Sequence, residues 1–256
     1  MIYKSKVEFE DYSCNHVLGC SHGCKYPCYA QMIALRFGRI KTAKEWISPI
    51  IKENALNEVK KDIKRLKGNI KEIHLCFMTD VFMYHQPEVI KLSLQIIKEL
   101  KKNNIRFKTL TKGETPYEDI IEIEKIKPDL ELFEDQISNS YGISLVSLNE
   151  DFRKKWEPNA CEYEKRINSL EKISEAGLDT YVYMEPFSPE DVDFNDFTTL
   201  LSRIKFVNKI IFGSWQYNKI KSDKSKYSEY VKYFKEFCDI QKIEYKIKKE
   251  IALNIK

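Results

Sequence analysis

The sequence predicts an α/β fold in which helices cover a parallel β-sheet, and three observations lead to this prediction. Short runs rich in β-branched and aromatic residues alternate with longer amphipathic segments along nearly the whole chain. Cysteines and polar residues directly follow these runs, at the strand ends where parallel sheets form their sites. The length of 256 residues, 43% of them hydrophobic, suits one large domain with a sizeable core.

Six runs are predicted as strands because they are short, apolar and bounded by polar or turn-forming residues. They are Val7–Ser13, Glu72–Met78, Arg106–Thr111, Gly142–Ser147, Thr180–Glu185 and Lys209–Phe212. Strands that alternate with helices imply parallel pairing through right-handed crossovers. The pattern does not determine the strand order, so an open doubly wound sheet and a partial barrel both fit it.

Six segments with apolar residues at helical spacing are predicted as helices. They are Ile50–Leu66, Glu88–Lys101, Tyr117–Ile126, Glu162–Ala176, Phe194–Ile204 and Tyr227–Ile240. Gly177 follows the fourth segment, where a glycine that ends a helix would lie. The segment Ile243–Ile251 fits a last strand or a helix, and the polar stretch Gly213–Lys226 is predicted to be a mobile loop.

A single domain over residues 1–256 is the simplest interpretation, with residues 214–256 as a C-terminal extension packed on it. The net charge of +4, from 43 basic and 39 acidic residues, is too balanced to predict a nucleic-acid binder from charge alone. No run of about 18 apolar residues is present. The first residues also lack the apolar core of a signal peptide, so a cytoplasmic location is expected.

The cysteines point to a metal centre. Seven are present, an odd count that argues against a disulfide scaffold. Cys20, Cys24 and Cys28 place three thiols within nine residues, and Gly19 and Gly23 permit the close backbone approach that a wrapped loop needs. Three thiolates leave one iron of a [4Fe–4S] cluster without a cysteine. The amino and carboxylate groups of S-adenosylmethionine (SAM) are suited to bind that iron.

The alternative is a structural zinc site whose fourth ligand is Cys14, His16 or His22. It would make the protein a zinc-stabilised binding module without chemistry of its own. Zinc sites usually combine paired Cys-x2-Cys elements, which this sequence lacks, so the iron–sulfur interpretation is favoured. Cys14 is left outside the cluster because a fourth cysteine ligand would block the binding of SAM.

The segment GCSHGCKYPCYA resembles the cluster loop of the radical SAM superfamily, and more narrowly that of the spore photoproduct lyase-like group. The segments Thr79–Glu88, Thr109–Glu114 and Ser144–Leu178 resemble further elements of that group, so the resemblance covers roughly residues 7–215. The cysteine loop and residues 76–112 also resemble a phage-associated three-cysteine radical SAM group. Pro27 lengthens the superfamily's common Cys-x3-Cys-x2-Cys spacing by one residue.

This resemblance implies a partial (β/α)6 barrel of radical SAM type, with the cluster on Cys20, Cys24 and Cys28 and SAM across the open end. It implies an enzyme that cleaves SAM reductively to a 5′-deoxyadenosyl radical, which abstracts a hydrogen atom from a substrate. The first expected substrate is a nucleic acid or nucleotide, and the alternative is a peptide or protein partner. An electron donor such as flavodoxin or ferredoxin is implied as a further partner.

Seven residues are implied as SAM contacts when the group's elements are carried over residue by residue. They are Tyr26, Tyr29, Thr111, Lys112, Ser144, Ser147 and Arg166. Because of Pro27, either Tyr26 or Tyr29 would contact the adenine. The planar fork of Arg166 suits the methionine carboxylate, and the alternative for Arg166 is a solvated helix face. Glu157, which precedes a proline, fits either an element of the group or a helix boundary.

Cys76 and Asp80 are the candidates for a catalytic role. Asp80 follows an apolar strand and would bind substrate or a hydroxyl of SAM, or else cap a helix. Spore photoproduct lyases place a hydrogen-donating cysteine close to the position of Cys76. Cys76 lies one residue upstream of that place, and a shift of one residue along a strand reverses the side-chain direction, so a core position is favoured for Cys76.

Four aromatic residues occur in the last third of the chain, and core packing is favoured for them over stacking on a nucleobase. They are Tyr181, Tyr183, Trp215 and Tyr217.

Overall fold

The computed structural model describes residues 1–5, 11–66, 68–128, 138–214 and 224–252. Within these residues one large sheet forms from eight strands. In spatial order they are β1 (Ile2–Lys4), β2 (Tyr12–Cys14), β5 (Ile73–Leu75), β6 (Phe107–Thr111), β7 (Ser140–Ser144), β8 (Asp179–Phe187), β9 (Lys209–Ser214) and β10 (Glu244–Ile247). A separate pair joins β3 (Val17–Leu18) to β4 (Ile50–Ile51).

The large sheet is parallel except at one edge. β1 pairs with β2 in the antiparallel sense, and each following pair from β2 to β10 is parallel. The spatial order follows the chain order and the sheet does not close into a ring within the described residues. This arrangement confirms the predicted α/β fold and is consistent with a partial barrel.

The helices connect the strands and cover the sheet. In chain order they are α1 (Tyr29–Arg36), α2 (Ala43–Trp46), α3 (Ala55–Leu66), α4 (Pro87–Lys102), α5 (Tyr117–Glu124), α6 (Glu150–Trp156), α7 (Tyr163–Glu175), α8 (Phe194–Arg203), α9 (Lys224–Gln241) and α10 (Lys249–Ala252). Local signals explain several boundaries. Pro87 begins α4, the Asp193 carboxylate accepts a hydrogen bond from the backbone N–H of Asp196 at the start of α8, and Gly177 follows α7 with a φ of 77°.

Two predicted elements have different boundaries, and each has a backbone cause. The strand predicted over Glu72–Met78 ends at Leu75, because Cys76 takes a left-handed φ of 51° and the chain turns there. The helix predicted over Ile50–Leu66 begins only at Ala55. Its first two residues pair with β3 instead, as the short strand β4.

The late part of the chain joins the same sheet. The ambiguous segment Ile243–Ile251 contains both the strand β10 and the start of the short helix α10. β10 pairs with β9, and Phe234 of α9 lies 5.1 Å from Phe212 of β9 between ring centroids. Most of the predicted mobile loop, with Trp215 and Tyr217, lies outside the described residues, as do residues 7–10 of the first predicted strand. No described helix has the length and apolar character needed to cross a bilayer.

One glycine shows how tightly the inner face of the sheet is filled. Gly142 of β7 lies beneath the buried ring of Tyr181, which is 5% exposed, and a Cβ at position 142 would overlap that ring. The Tyr181 hydroxyl donates a hydrogen bond of 2.7 Å to the backbone carbonyl of Thr109 on β6. The tyrosine therefore lies across β7, and its predicted packing role is consistent with this position.

Gly142→Ala is expected to lower the free energy of unfolding by about 1–3 kcal/mol, because the added methyl group must displace a buried ring. Urea unfolding followed by circular dichroism measures this change. The same substitution in a Tyr181→Leu background should cost clearly less, since the ring is then gone. An equal cost in both backgrounds would contradict the proposed overlap.

Candidate functional site

The three loop cysteines lie between β3 and α1, and Cys28 directly precedes the first residue of α1. All three are free thiols of intermediate exposure. Gly19 and Gly23 have left-handed φ values of 91° and 60°. A Cβ at Gly19 would lie 2.6 Å from a backbone carbonyl oxygen, so this position requires glycine. The loop thus has the close backbone approach that the sequence predicts.

Backbone hydrogen bonds attach the cysteine loop to its surroundings on two sides. The N–H of Cys20 donates to the carbonyl of Trp46 in α2 at 2.8 Å. The N–H of Lys25 donates to the carbonyl of Trp156 at the end of α6, also at 2.8 Å. These bonds satisfy groups that would otherwise be buried without partners, and they hold the loop in one conformation.

His22 attaches the loop to the ends of the central strands. The backbone N–H of Tyr84 donates to Nε2 of His22 at 3.0 Å, so the ring proton lies on Nδ1. Nδ1 is 3.6 Å from a carboxylate oxygen of Asp80. Burial lowers the pKa of His22, which favours the neutral ring. Both ring nitrogens are engaged within the protein, and His22 does not face the cysteines as a ligand.

Asp80 joins the ends of β5 and β6. Its carboxylate accepts hydrogen bonds from the Thr111 hydroxyl at 2.6 Å, the Lys112 backbone N–H at 2.7 Å and the Phe82 backbone N–H at 3.0 Å. Asp80 is not the cap of the next helix, because Gln86 occupies the N-cap position of α4. The carboxylate therefore positions Thr111 and Lys112 from inside the protein.

Next to the loop lies a buried group of charges that we call the Glu157 network, formed by Tyr26, Lys112, Glu157 and Arg166. The Tyr26 hydroxyl donates to one carboxylate oxygen of Glu157 at 2.9 Å. The Lys112 ammonium contacts both that oxygen and the Tyr26 hydroxyl, and lies 4.7 Å from the centroid of the Tyr26 ring. Arg166 donates to the other carboxylate oxygen at 2.8 Å.

Arg166 is fully buried, so the alternative of a solvated helix face is wrong. Besides Glu157, its guanidinium donates to the backbone carbonyls of Cys161 and Ser144, each at 2.9 Å. It thereby links α7 to the end of β7. The side chain is held by three partners within the protein.

The electrostatics of the network are set by one carboxylate between two cations. Burial raises the pKa of Glu157, but Lys112 and Arg166 outweigh burial and hold it at about 2. Burial lowers the pKa of Lys112, but Glu157 more than offsets this and leaves the pKa raised. All three groups are therefore charged at neutral pH, and the network carries one net positive charge beside the cysteine loop.

Of the other predicted SAM contacts, Ser144 adjoins the Glu157 network, whereas Ser147 and Tyr29 bond to other parts of the protein. The Ser144 hydroxyl donates to the carbonyl of Glu185 at 3.2 Å, and its own carbonyl is the acceptor for Arg166. Ser147 instead donates to the Asp196 carboxylate of α8. Tyr29 donates to the backbone carbonyl of Phe77.

Cys76 lies in the main core, and its thiol faces His16. The sulfur is 3.5 Å from Nδ1 of His16, while Nε2 of the same ring is 2.8 Å from the Ser93 hydroxyl. The Cys76 N–H donates to the carbonyl of Cys14, which is also buried. Cys14 and Cys76 pack in the main core, whereas Cys20 and Cys28 pack on a smaller one.

Glu157 is the residue whose importance the sequence did not reveal. A glutamate before a proline is common at helix boundaries, and Glu157 does end α6. Its partner Lys112 is 45 positions away in sequence, a separation no local pattern detects. The only available signal was its place within the run that resembles the lyase-like group.

A family model describing the radical SAM superfamily matches residues 14–197, which is more than half of the chain. The chain therefore belongs to the radical SAM superfamily, whose members use an iron–sulfur cluster and SAM. This membership favours the iron–sulfur interpretation over the zinc-stabilised module.

Two curated relatives extend the comparison. The uncharacterized protein MJ0683 of Methanocaldococcus jannaschii is 27% identical over 194 residues, covering 75% of this chain and 66% of that protein. The uncharacterized protein ORF301 of Acidianus two-tailed virus is 24% identical over 186 residues, covering 70% and 57%. The chain thus matches less than two thirds of the length of either relative.

Solved structures show the same fold. Spore photoproduct lyase complexed with dinucleoside spore photoproduct has a TM-score of 0.64 at 12% identity, covering 96% of this chain and 78% of that one. Streptococcus suis SuiB bound to S-adenosylmethionine has a TM-score of 0.56 at 11% identity, covering 92% and 46%. At these identities the likeness concerns the fold alone.

The loop fits the group that the superfamily implies. Three half-buried thiols lie on one wrapped loop, with the positive Glu157 network beside them to offset the charge of thiolates. No three His, Cys, Asp or Glu side chains in the described ranges are arranged to hold a single metal ion. A [4Fe–4S] cluster does not require the three sulfur atoms to converge on one ion, because each cysteine ligand binds its own iron.

Glu157→Gln is expected to lower the free energy of unfolding by about 3–5 kcal/mol, because it leaves Lys112 and Arg166 without their buried counter-charge. Glu162→Gln is the matched control, since the Glu162 side chain pairs with Lys165 while 44% exposed, and this substitution should cost less than about 1 kcal/mol. Urea unfolding at neutral pH measures both. Similar small losses in the two variants would show that the network does not stabilise the fold.

Proposed function

We propose that this protein is a radical SAM enzyme that holds a [4Fe–4S] cluster on Cys20, Cys24 and Cys28. The observation that carries the proposal is the three-cysteine loop fixed beside the buried Glu157 network, at the C-terminal ends of parallel strands. When bound, the cluster and SAM together would supply a 5′-deoxyadenosyl radical that abstracts a hydrogen atom from the substrate.

The protein residues would bind and orient the cofactor. The Lys112 side chain keeps 16% of its surface exposed, so its ammonium can contact a polar part of SAM. Tyr26 is the better candidate than Tyr29 for the adenine side, because it belongs to the same buried group as Lys112. Arg166, which three protein groups already hold, would act as a positioning residue through Glu157 and the Ser144 carbonyl.

Asp80 is proposed to support the site from within the fold, and Cys76 is proposed to be a core residue. Asp80 holds Thr111 and Lys112 by hydrogen bonds from the end of β6. Cys76 is 1% exposed and packs in the main core, which favours a structural role over hydrogen donation. Asp80 would therefore affect the geometry of the site, whereas Cys76 would contribute to core packing.

The proposed substrate is a nucleic acid or a nucleotide, and a peptide or protein is the alternative. Support for the first comes from the shared fold with a lyase whose structure contains a dinucleoside photoproduct. A one-electron donor such as flavodoxin or ferredoxin would reduce the cluster. We also propose that residues 1–256 act as one domain with residues 214–256 as its extension, supported by the pairing of β10 with β9.

Single replacement of Cys20, Cys24 or Cys28 by Ala is expected to abolish most cluster binding, because each thiolate would hold a separate iron. Anaerobic reconstitution should give brown wild-type protein that releases 5′-deoxyadenosine from SAM when dithionite is added. Each of the three variants should be pale and release little. Iron content, the visible spectrum and chromatographic detection of the nucleoside provide the measurements.

The matched controls for this series are Cys14→Ala and Cys76→Ala, which remove buried thiols outside the loop. Both should keep the visible spectrum and the yield of 5′-deoxyadenosine close to wild type. Loss of the cluster in Cys14→Ala would make Cys14 a ligand. Colourless wild-type protein with one tightly bound zinc would contradict the proposed function.

Addition of DNA or RNA oligonucleotides is expected to raise the yield of 5′-deoxyadenosine from SAM, because a bound substrate commits the radical to hydrogen abstraction. A mixture of peptides at the same concentration should leave the yield unchanged. Chromatography of the nucleoside measures the response, with the Cys24→Ala variant as the background. Stimulation by peptides alone would reject the nucleic-acid substrate in favour of the alternative.

A further inference from the structure

The exposed apolar side chains are unevenly distributed over the described surface. Seven large apolar residues are exposed there, and five of them fall between α1 and β4. These five are Leu35, Phe37, Ile47, Ile50 and Ile51. Phe37 and Ile50 are the most exposed of the five, at 67% and 64%. A concentration of this kind on a folded protein usually marks an interaction surface.

The same part of the chain is strongly basic. Residues 25–52 contain six basic residues and one acidic residue, whereas the whole chain has 43 basic and 39 acidic residues. Arg36 lies with its guanidinium carbon 6.0 Å from the centroid of the exposed Phe37 ring. The acidic residue, Glu45, accepts hydrogen bonds from the N–H of Lys41 and from the Thr42 hydroxyl, so it is engaged locally.

We use the term basic–apolar face for the five exposed apolar residues together with four exposed basic ones. The basic members are Arg36, Arg39, Lys41 and Lys44. Protein–protein interfaces combine apolar residues with polar and charged ones, and this segment exposes both kinds. Its positive charge selects for an acidic partner, because complementary charges speed encounter and like charges oppose it.

The basic–apolar face lies on the same part of the chain as the residues that pack against the cysteine loop. Beneath it lies a small core of Ala30, Ala34, Ile40 and Trp46, and both Cys20 and Cys28 pack against this core. The carbonyl of Trp46 accepts the hydrogen bond from Cys20, and Ile47 follows Trp46 directly. A Cβ at Gly23 would lie 3.8 Å from the Ile47 side chain. Ile47 therefore brings part of the basic–apolar face next to the cysteine loop.

We propose that the basic–apolar face docks an acidic protein that carries one electron on a flavin or an iron–sulfur centre. This inference rests on the proposed function, because reductive cleavage of SAM requires an electron at the cluster. The reduced carrier would lose one electron, the oxidised cluster would gain it, and the carrier would leave oxidised. In this step no proton is transferred, and no covalent bond forms or breaks.

Other occupants fit the observations less well. A second copy of this chain in a two-fold contact would place one basic surface against another, which costs free energy. A single-stranded nucleic acid would use aromatic rings to stack its bases, and four of the five apolar residues are aliphatic. The position next to the cysteine loop favours a partner that must approach the cluster.

The test compares two electron sources for the same enzyme. 5′-deoxyadenosine formation is measured with chemically reduced flavodoxin and, separately, with dithionite, which needs no docking. The test variants are Phe37→Ser and the double variant Arg39→Glu/Lys44→Glu. Each is expected to lower the flavodoxin-driven rate by about tenfold, while the dithionite-driven rate and the visible spectrum stay near wild type. Added salt should lower the wild-type flavodoxin-driven rate in the same selective way.

The matched control is the double variant Ile240→Ser/Lys235→Glu on α9, which changes a similarly exposed apolar residue and a lysine elsewhere. It should leave both rates unchanged. Equal flavodoxin-driven rates in the face variants and the wild type would overturn the proposal. The proposal would also be overturned if the only effect of the face variants were loss of a dimer, or loss of stimulation by nucleic acid. No product from the wild type with dithionite would instead reject the proposed function itself.

Discussion

A carboxylate removed from water must be balanced by positive charge, and Glu157 is balanced on both sides. Lys112 comes from the end of β6 and Arg166 from α7, while Tyr26 brings the cysteine loop to the same carboxylate. Removing either cation or the carboxylate itself would leave a buried charge less well compensated, so the three elements are held together. The position of the loop over the strand ends depends on this interaction.

A second carboxylate works alongside the first from the opposite side of Lys112. Asp80 fixes the backbone of Lys112, and Glu157 fixes its side chain. His22 extends the Asp80 contacts into the loop between Cys20 and Cys24. The three loop cysteines are thus positioned by two buried acids that lie outside the loop, an arrangement typical of the supporting groups around metal sites.

Sequence reasoning succeeded where the signal was local. The alternation of strands and helices, the three-cysteine spacing and the glycines of the loop follow from neighbouring residues. Features that depend on contacts between residues far apart in the sequence could not be predicted. Nothing near Glu157 reveals Lys112, and nothing before Cys76 announces the left-handed turn that ends β5 at Leu75. The true start of α3 depends on pairing between Ile50 and Leu18, which is likewise a contact across the chain.

The small core beneath α1 and α2 has a consequence for how the holoprotein is made. Its four buried side chains pack separately from the main core, and two of the four are alanines. So little buried apolar surface makes this unit easier to open than the sheet beside it. Iron and sulfide would then reach Cys20 and Cys28 by a local opening of one flank, while the barrel stays folded. The cofactor would then be assembled after the rest of the protein has folded.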